Sequence, residues 1–193
     1  VAPVWSGSAA AATGTLVSTG NGLRLAARTK NLRIYSHLSG ETWMEGSAGA
    51  KLSGKARPSA VALPSGAILV AAQSDPTNGV VKVFKFNNDG SGSPIVELQS
   101  SFGYEQPTLV HTGDEDALMV MVKNDDTLVS RTRRGGTWDG VDTTELTLAD
   151  SGNYAWPNAL RNPTNGRLEL LVSGANCATS SKQREVLHLS RPL

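Results

Sequence analysis

Along residues 58–98 the apolar positions change rhythm from segment to segment. Residues 58–63 alternate weakly between apolar and polar, and Pro64-Ser65-Gly66 breaks the pattern. Residues 67–72 (Ala-Ile-Leu-Val-Ala-Ala) form an unbroken apolar run, short enough for a strand covered on both faces. Asp75-Pro76-Thr77-Asn78-Gly79 is a turn signal, and residues 81–86 (Val-Lys-Val-Phe-Lys-Phe) alternate with period two. After the turn residues 87–92, the segment Ile95-Val96-Glu97-Leu98 can form an outer strand. Four short strands joined by tight turns predict one antiparallel sheet.

The same grammar recurs along the chain. Buried strands are predicted over 23–27, 118–122 and 168–172, and third strands over 32–37, 127–132 and 184–190. Tryptophan marks two outer strands, in Gly40-Glu41-Thr42-Trp43 and Gly135-Gly136-Thr137-Trp138. Gly14, Pro58, Pro107 and Pro157 occupy one position of the repeat, at steps of 44, 49 and 50 residues. No stretch carries helical periodicity over three turns. Repeats of this length built from strands predict an all-β fold, a four-bladed β-propeller of four-stranded antiparallel blades. The expected organisation is one domain over 1–193, with blades near 8–50, 51–100, 101–148 and 149–193. The last blade lacks an outer strand, and Ala2-Pro3-Val4-Trp5-Ser6-Gly7 resembles one. The N-terminal strand 1–7 is therefore expected to pair in the last blade and close the ring, which would remove an exposed edge. The competing expectation is a half-ring completed by a homo-oligomer or another chain.

Charge narrows the partners. Eighteen Lys and Arg against 17 Asp and Glu leave a formal net charge of +1, too little to concentrate nucleic acid. The densest basic run, Arg131-Thr132-Arg133-Arg134, precedes Gly135-Gly136 and reads as a solvated loop. The single Cys177 excludes an intrachain disulfide, and His37, His111 and His188 lack metal-ligand spacing. No cofactor or metal is expected, and no apolar run of membrane-spanning length suggests insertion in a bilayer.

Candidate chemistry lies where strands end. Arg28, Gln73, Lys123 and Ser173 leave the buried strands at equivalent places, and donors there can face a polar ligand. Two aromatic-polar segments, Phe102-Gly103-Tyr104-Glu105-Gln106 and Gly152-Asn153-Tyr154-Ala155-Trp156, are expected as matching loops. Aromatic faces beside polar groups suit a sugar, whose C–H groups stack while its hydroxyls bond. Tyr104, Tyr154 and Trp156 are thus expected to bind ligand. Trp5, Trp43 and Trp138 recur at one position and are expected to fill the wedge between blades, with a ligand contact possible at the same ring. Glu105 is the most plausible carboxylate for acid–base chemistry, whereas Asp114, Glu115, Asp116, Asp125, Asp126, Asp139 and Asp142 fall at expected turns.

Residues 21–37, followed by Trp43, resemble one repeat of the PLL-type bacterial propeller lectins, and Val4-Trp5-Ser6-Gly7 is similar to that repeat's closing strand. The resemblance implies sugar pockets between blades, with Arg28, His37 and Trp43 at the matching positions. Residues 36–43 are also similar to the Asp-box of sialidase-like propellers, with Leu38 in place of the aspartate; the box is an architectural element of a blade. These resemblances imply a non-catalytic lectin that binds a glycan or monosaccharide, and a secreted or extracellular protein. The alternatives are a sialidase-like glycoside hydrolase using Glu105 and a propeller that binds another protein. Ligand contacts are expected from Trp156, Tyr154, Tyr104, Glu105, Arg28, His37, Trp43 and Trp138.

Overall fold

The computed structural model describes residues 13–28, 31–40, 42–51, 57–75, 77–88, 91–124, 126–147, 153–175 and 184–193. They form 16 strands in four antiparallel sheets, with no helix among the described residues. The first sheet runs β1 (Thr13–Thr19), β2 (Gly22–Arg28), β3 (Asn31–Ser39) and β4 (Thr42–Lys51) in spatial order. The second runs β5 (Ser59–Ala62), β6 (Ile68–Asp75), β7 (Val80–Phe86) and β8 (Ile95–Gln99). The third contains β9 (Tyr104–Gly113), β10 (Asp116–Lys123) and β11 (Thr127–Arg134). Its outer strand is split into β12 (Thr137–Trp138) and β13 (Thr143–Thr147), both paired with β11. The fourth has β14 (Asn153–Arg161), β15 (Leu168–Ala175) and β16 (Arg184–Arg191). The expected closing strand, residues 1–7, lies outside the described residues.

The rhythm of the sequence follows from the stacking of these sheets. Ile68, Val70 and Ala72 of β6 pack with Ala26, Leu32 and Ile34 of the first sheet. Leu69 and Ala71, on the opposite face, pack with Met119 and Met121 of the third. β10 repeats this arrangement, sending Leu118, Val120 and Val122 to Leu168, Leu170 and Val172 of the fourth sheet. A strand covered on both faces needs no polar alternation, so its apolar run is continuous. Each fully buried Leu, Val or Met contributes about 1.5–3 kcal/mol. Among the described residues there are three such apolar cores, one in each seam between successive sheets.

Polar clamps reinforce the seams. Arg24 Nε donates to the Asn88 carbonyl at 2.8 Å, tying the first sheet to the second. Arg133 of β11, 1% exposed, grips both oxygens of Glu97 of β8 with Nε and Nη2, one edge of its fork, at 2.8 and 2.9 Å. Arg191 of β16 does the same to Glu145 of β13, at 2.7 and 2.6 Å. The basic run is therefore no solvated loop. It is strand, and Arg131, Arg133 and Arg134 each pair with a carboxylate: Asp142, Glu97 and Asp139. The alternation of β11 sends Arg131 and Arg133 to the face that meets the second sheet, where they find Asp142 and Glu97.

Candidate functional site

The first strands of successive sheets lie side by side, β1 on β5, β5 on β9 and β9 on β14. The repeat positions that mark the sequence meet there. Thr15, Pro58 with Ser59, Pro107 with Thr108, and Pro157 with Asn158 line one cavity of about 480 Å³. Arg57, Gln73, Glu105 and Gln106 complete its wall.

Local backbone geometry explains why prolines stand at this place. The pairing of β9 with β10 slips between Val120 and Val122, opposite Gln106-Pro107. The pairing of β14 with β15 slips between Ala155 and Asn158, at Trp156-Pro157 and opposite Val172. A bulge leaves a residue without a ladder partner, and proline has no N–H to lose there. Gln106 adopts a left-handed φ of 49° at its bulge, which re-aims the strand at the cavity. The lining hydroxyls also stitch adjacent first strands together. Thr15 Oγ1 donates to the Pro58 carbonyl at 2.6 Å, and Leu109 N donates to Ser59 Oγ at 2.9 Å. Thr15 keeps lone pairs to offer a ligand, and Ser59 keeps its proton. The wall thus offers hydroxyls, amides, one guanidinium and one carboxylate between proline rings.

A second polar centre lies on the third sheet. Asp142, in the connection between β12 and β13, accepts three hydrogen bonds. Tyr104 Oη donates at 2.6 Å, Lys123 Nζ at 2.9 Å and Arg131 Nε at 2.7 Å. Both cations also flank the Tyr104 ring, 5.2 and 5.3 Å from its centroid. Burial pushes the Asp142 carboxyl up, but those three donors outweigh it and hold the pKa below the ordinary value. The bond to Asp142 raises Lys123. An open groove of about 580 Å³ adjoins this cluster.

The structure distributes the expected site residues among several places. Glu105 reaches the cavity between the first strands. Its neighbour Tyr104 is buried and serves Asp142, because adjacent strand residues point to opposite faces. The segments of Tyr104 and Tyr154 begin strands β9 and β14, so they are not the loops expected. Proline after an aromatic-polar run marks a bulge inside a strand here. The side chains of Tyr154 and Trp156 lie outside the described residues, although Trp156 holds the place before proline that Arg57 and Gln106 hold. Trp138, 8% exposed, joins the core between the second and third sheets, and its Nε1 donates to Glu97 at 3.2 Å. It is the wedge filler expected of that position. The trio Arg28, His37 and Trp43 does not assemble. His37 lies 5.0 Å from the Trp43 ring, but Arg28 pairs with Leu32, five residues or about 16 Å along β3 and on the other face. Arg28 Nε is buried with no hydrogen-bond partner among the described residues. Lys123, Arg131 and Asp142 escaped notice as a group because residues 123 and 142 are joined only by tertiary folding. A turn aspartate gives no sign of it. Among the described residues, no group of three or more His, Cys, Asp or Glu could hold a metal.

No family model and no curated protein sequence matches the chain. Solved structures do share its fold. A point mutant of Aleuria aurantia lectin in complex with alpha-methyl-L-fucoside is 14% identical, with a TM-score of 0.56 over 88% of this chain and 56% of that one. The SapL1 lectin in complex with alpha methyl fucoside is 10% identical, with a TM-score of 0.55 over 93% of this chain and 65% of that one. The Bacteroides ovatus xyloglucan PUL GH43B is 12% identical, with a TM-score of 0.55 over 93% and 38%. This chain thus spans between 38% and 65% of the length of those proteins. The likeness establishes a β-propeller fold for this chain.

Proposed function

We propose that this chain is a non-catalytic carbohydrate-binding β-propeller that takes a monosaccharide or short glycan in its axial cavity. The observation that carries the reading is the convergence of one repeat position from four sheets on that cavity. Thr15, Ser59, Thr108 and Asn158 bring hydroxyl and amide groups to it, alongside three prolines. A sugar needs convergent donors and acceptors with apolar surface between them, and the volume suits one or two sugar rings. Two of the structurally similar proteins are lectins described in complex with fucosides, which supports a saccharide ligand and makes fucosides the first to try. Trp156 joins the proposed site on sequence position alone.

A hydrolase reading fits the wall less well. Glycoside hydrolysis ordinarily uses two carboxyl groups flanking the bond, and Glu105 is the single carboxylate among the described lining residues. The four sheets are read as four blades, with residues 1–7 as the fourth strand of the last. Among the described residues β16 pairs only with β15, in a three-stranded sheet, which supports that reading.

The test is a glycan array followed by calorimetric titration of the best binder, fucosides included. Gln73→Ala and Asn158→Ala are expected to keep the fold and weaken binding at least tenfold. No binder on the array, or unchanged affinity in both variants, would refute the assignment. Turnover of aryl glycosides that disappears in Glu105→Gln would replace it with the hydrolase reading.

A further inference from the structure

The groove beside Asp142 has a composition unlike that of the axial cavity. Lys123, Arg131, Asn124 and the threonines 127, 144 and 147 line it, and Asp142 is the carboxylate on its wall. That carboxylate is already engaged by three donors, so its charge is spent on holding the cations in place. Two cations against one anion leave the cluster with a net charge of +1. Arg131 uses only Nε toward Asp142, which leaves the Nη edge of its fork to the groove. Lys123 uses one of three N–H groups, and its side chain is 36% exposed. Packing of both cations against Tyr104 fixes their positions before any ligand arrives.

We propose that this groove is a second binding site, for a carboxylate group held by Arg131 and Lys123. A planar fork with a free edge matches a carboxylate with two parallel hydrogen bonds, and a neighbouring ammonium adds a third donor. The groove is far larger than a carboxylate, and the Thr144 and Thr147 hydroxyls stand on its wall for the rest of the ligand. That ligand is a small organic acid or an acidic saccharide such as a uronate. The site shares no lining residue with the axial cavity and stands whether or not that cavity binds sugar.

The experiment titrates acetate, glucuronate and glucose into the ¹⁵N-labelled protein and follows the amide signals of residues 123–131 and 140–147 by NMR. Glucuronate is expected to shift them at millimolar concentrations, more weakly as salt rises, while glucose leaves them in place. Equal response to acetate assigns the site to simple carboxylates, and a preference for glucuronate assigns it to acidic saccharides. Arg131→Lys keeps a cation for Asp142 but loses the fork, and is expected to weaken glucuronate at least tenfold. Lys123→Gln leaves the Arg131 pair with Asp142 intact, and is expected to weaken it severalfold even if Arg131→Lys fails to fold. No shift with either acid, or shifts as large with glucose, would overturn the proposal. So would unchanged glucuronate binding in folded Lys123→Gln.

Discussion

Removal of the Glu97 side chain tests whether a buried ion pair holds the second sheet to the third. In Glu97→Ala the Arg133 guanidinium stays behind, 1% exposed, with the Glu115 carbonyl as its remaining acceptor. Two charge-assisted bonds at 2.8 and 2.9 Å disappear, and Trp138 Nε1 loses its acceptor. Stranding one member of a buried pair costs about 3–5 kcal/mol, because the remaining charge has lost both water and partner. That is a large share of the roughly 5–15 kcal/mol that holds a domain folded. At this chain length it corresponds to a fall in Tm of roughly 6–20 °C. Urea unfolding followed by tryptophan fluorescence reads the loss as a lower midpoint at constant slope. The double variant Glu97→Leu/Arg133→Met removes both charges and keeps apolar volume, so it is expected to recover most of the loss. A loss below about 1 kcal/mol in Glu97→Ala, the value of an exposed pair, would refute the reasoning. So would a double variant as unstable as the single one.

Acid titration should expose one further seam contact, at Glu145, and the Asp142 cluster within the third sheet. Burial pushes the Glu145 carboxyl up, but its bonds from Arg191 and Ser130 outweigh that and hold it low, as the three donors do at Asp142. With folded values below the unfolded ones, the stability these groups contribute is complete above about pH 4.5 and is lost as pH falls through the folded values. Thermal melts between pH 7 and pH 2 should therefore show a steep acid limb that flattens in Glu145→Gln; an unchanged limb would count against the Arg191 clamp. Gly79→Ala should destabilise by about 2 kcal/mol or more. Its φ of 63° disfavours a side chain, and a Cβ there would meet the Tyr104 N at 3.1 Å and the Gly103 Cα at 3.2 Å. Circular-dichroism melts that match the parent protein would show that this close approach of the β6–β7 turn to the start of β9 can yield.

Strand identity was legible because burial on two faces and on one leave different traces. Residues 67–72 and 118–122 announce double burial by their continuous run, and β6 and β10 hold those places. Residues 81–86 show the alternation of β7. The outer strand of the third sheet was harder to read. Asp139, Gly140 and Asp142 look like one turn, yet they separate two short strands that both pair with β11. Ion pairing was illegible for a similar reason. The run 131–134 looks solvated until β11 assigns alternate arginines to a buried face, and the carboxylates that meet them come from 97 and 142. A pair of glutamates at equivalent outer-strand positions, Glu97 and Glu145, each before leucine, is the sequence trace of those clamps.

The repeat anchors carry structure and chemistry at once, and this decides which substitutions can separate the two. Thr15 and Ser59 each hold a neighbouring first strand through a hydroxyl, so removing either hydroxyl loosens the wall as well as changing its donors. A loss of ligand in Thr15→Val would therefore have two explanations. Gln73 and Asn158 line the same cavity without such a stitch among the described residues, and Asn158 is exposed. Truncating them changes the chemistry of the wall while β5, β9 and β14 keep their mutual packing. A binding defect there, with an unfolding midpoint equal to that of the parent, reports on recognition. A shared fall in midpoint and affinity would place those two residues among the structural stitches instead.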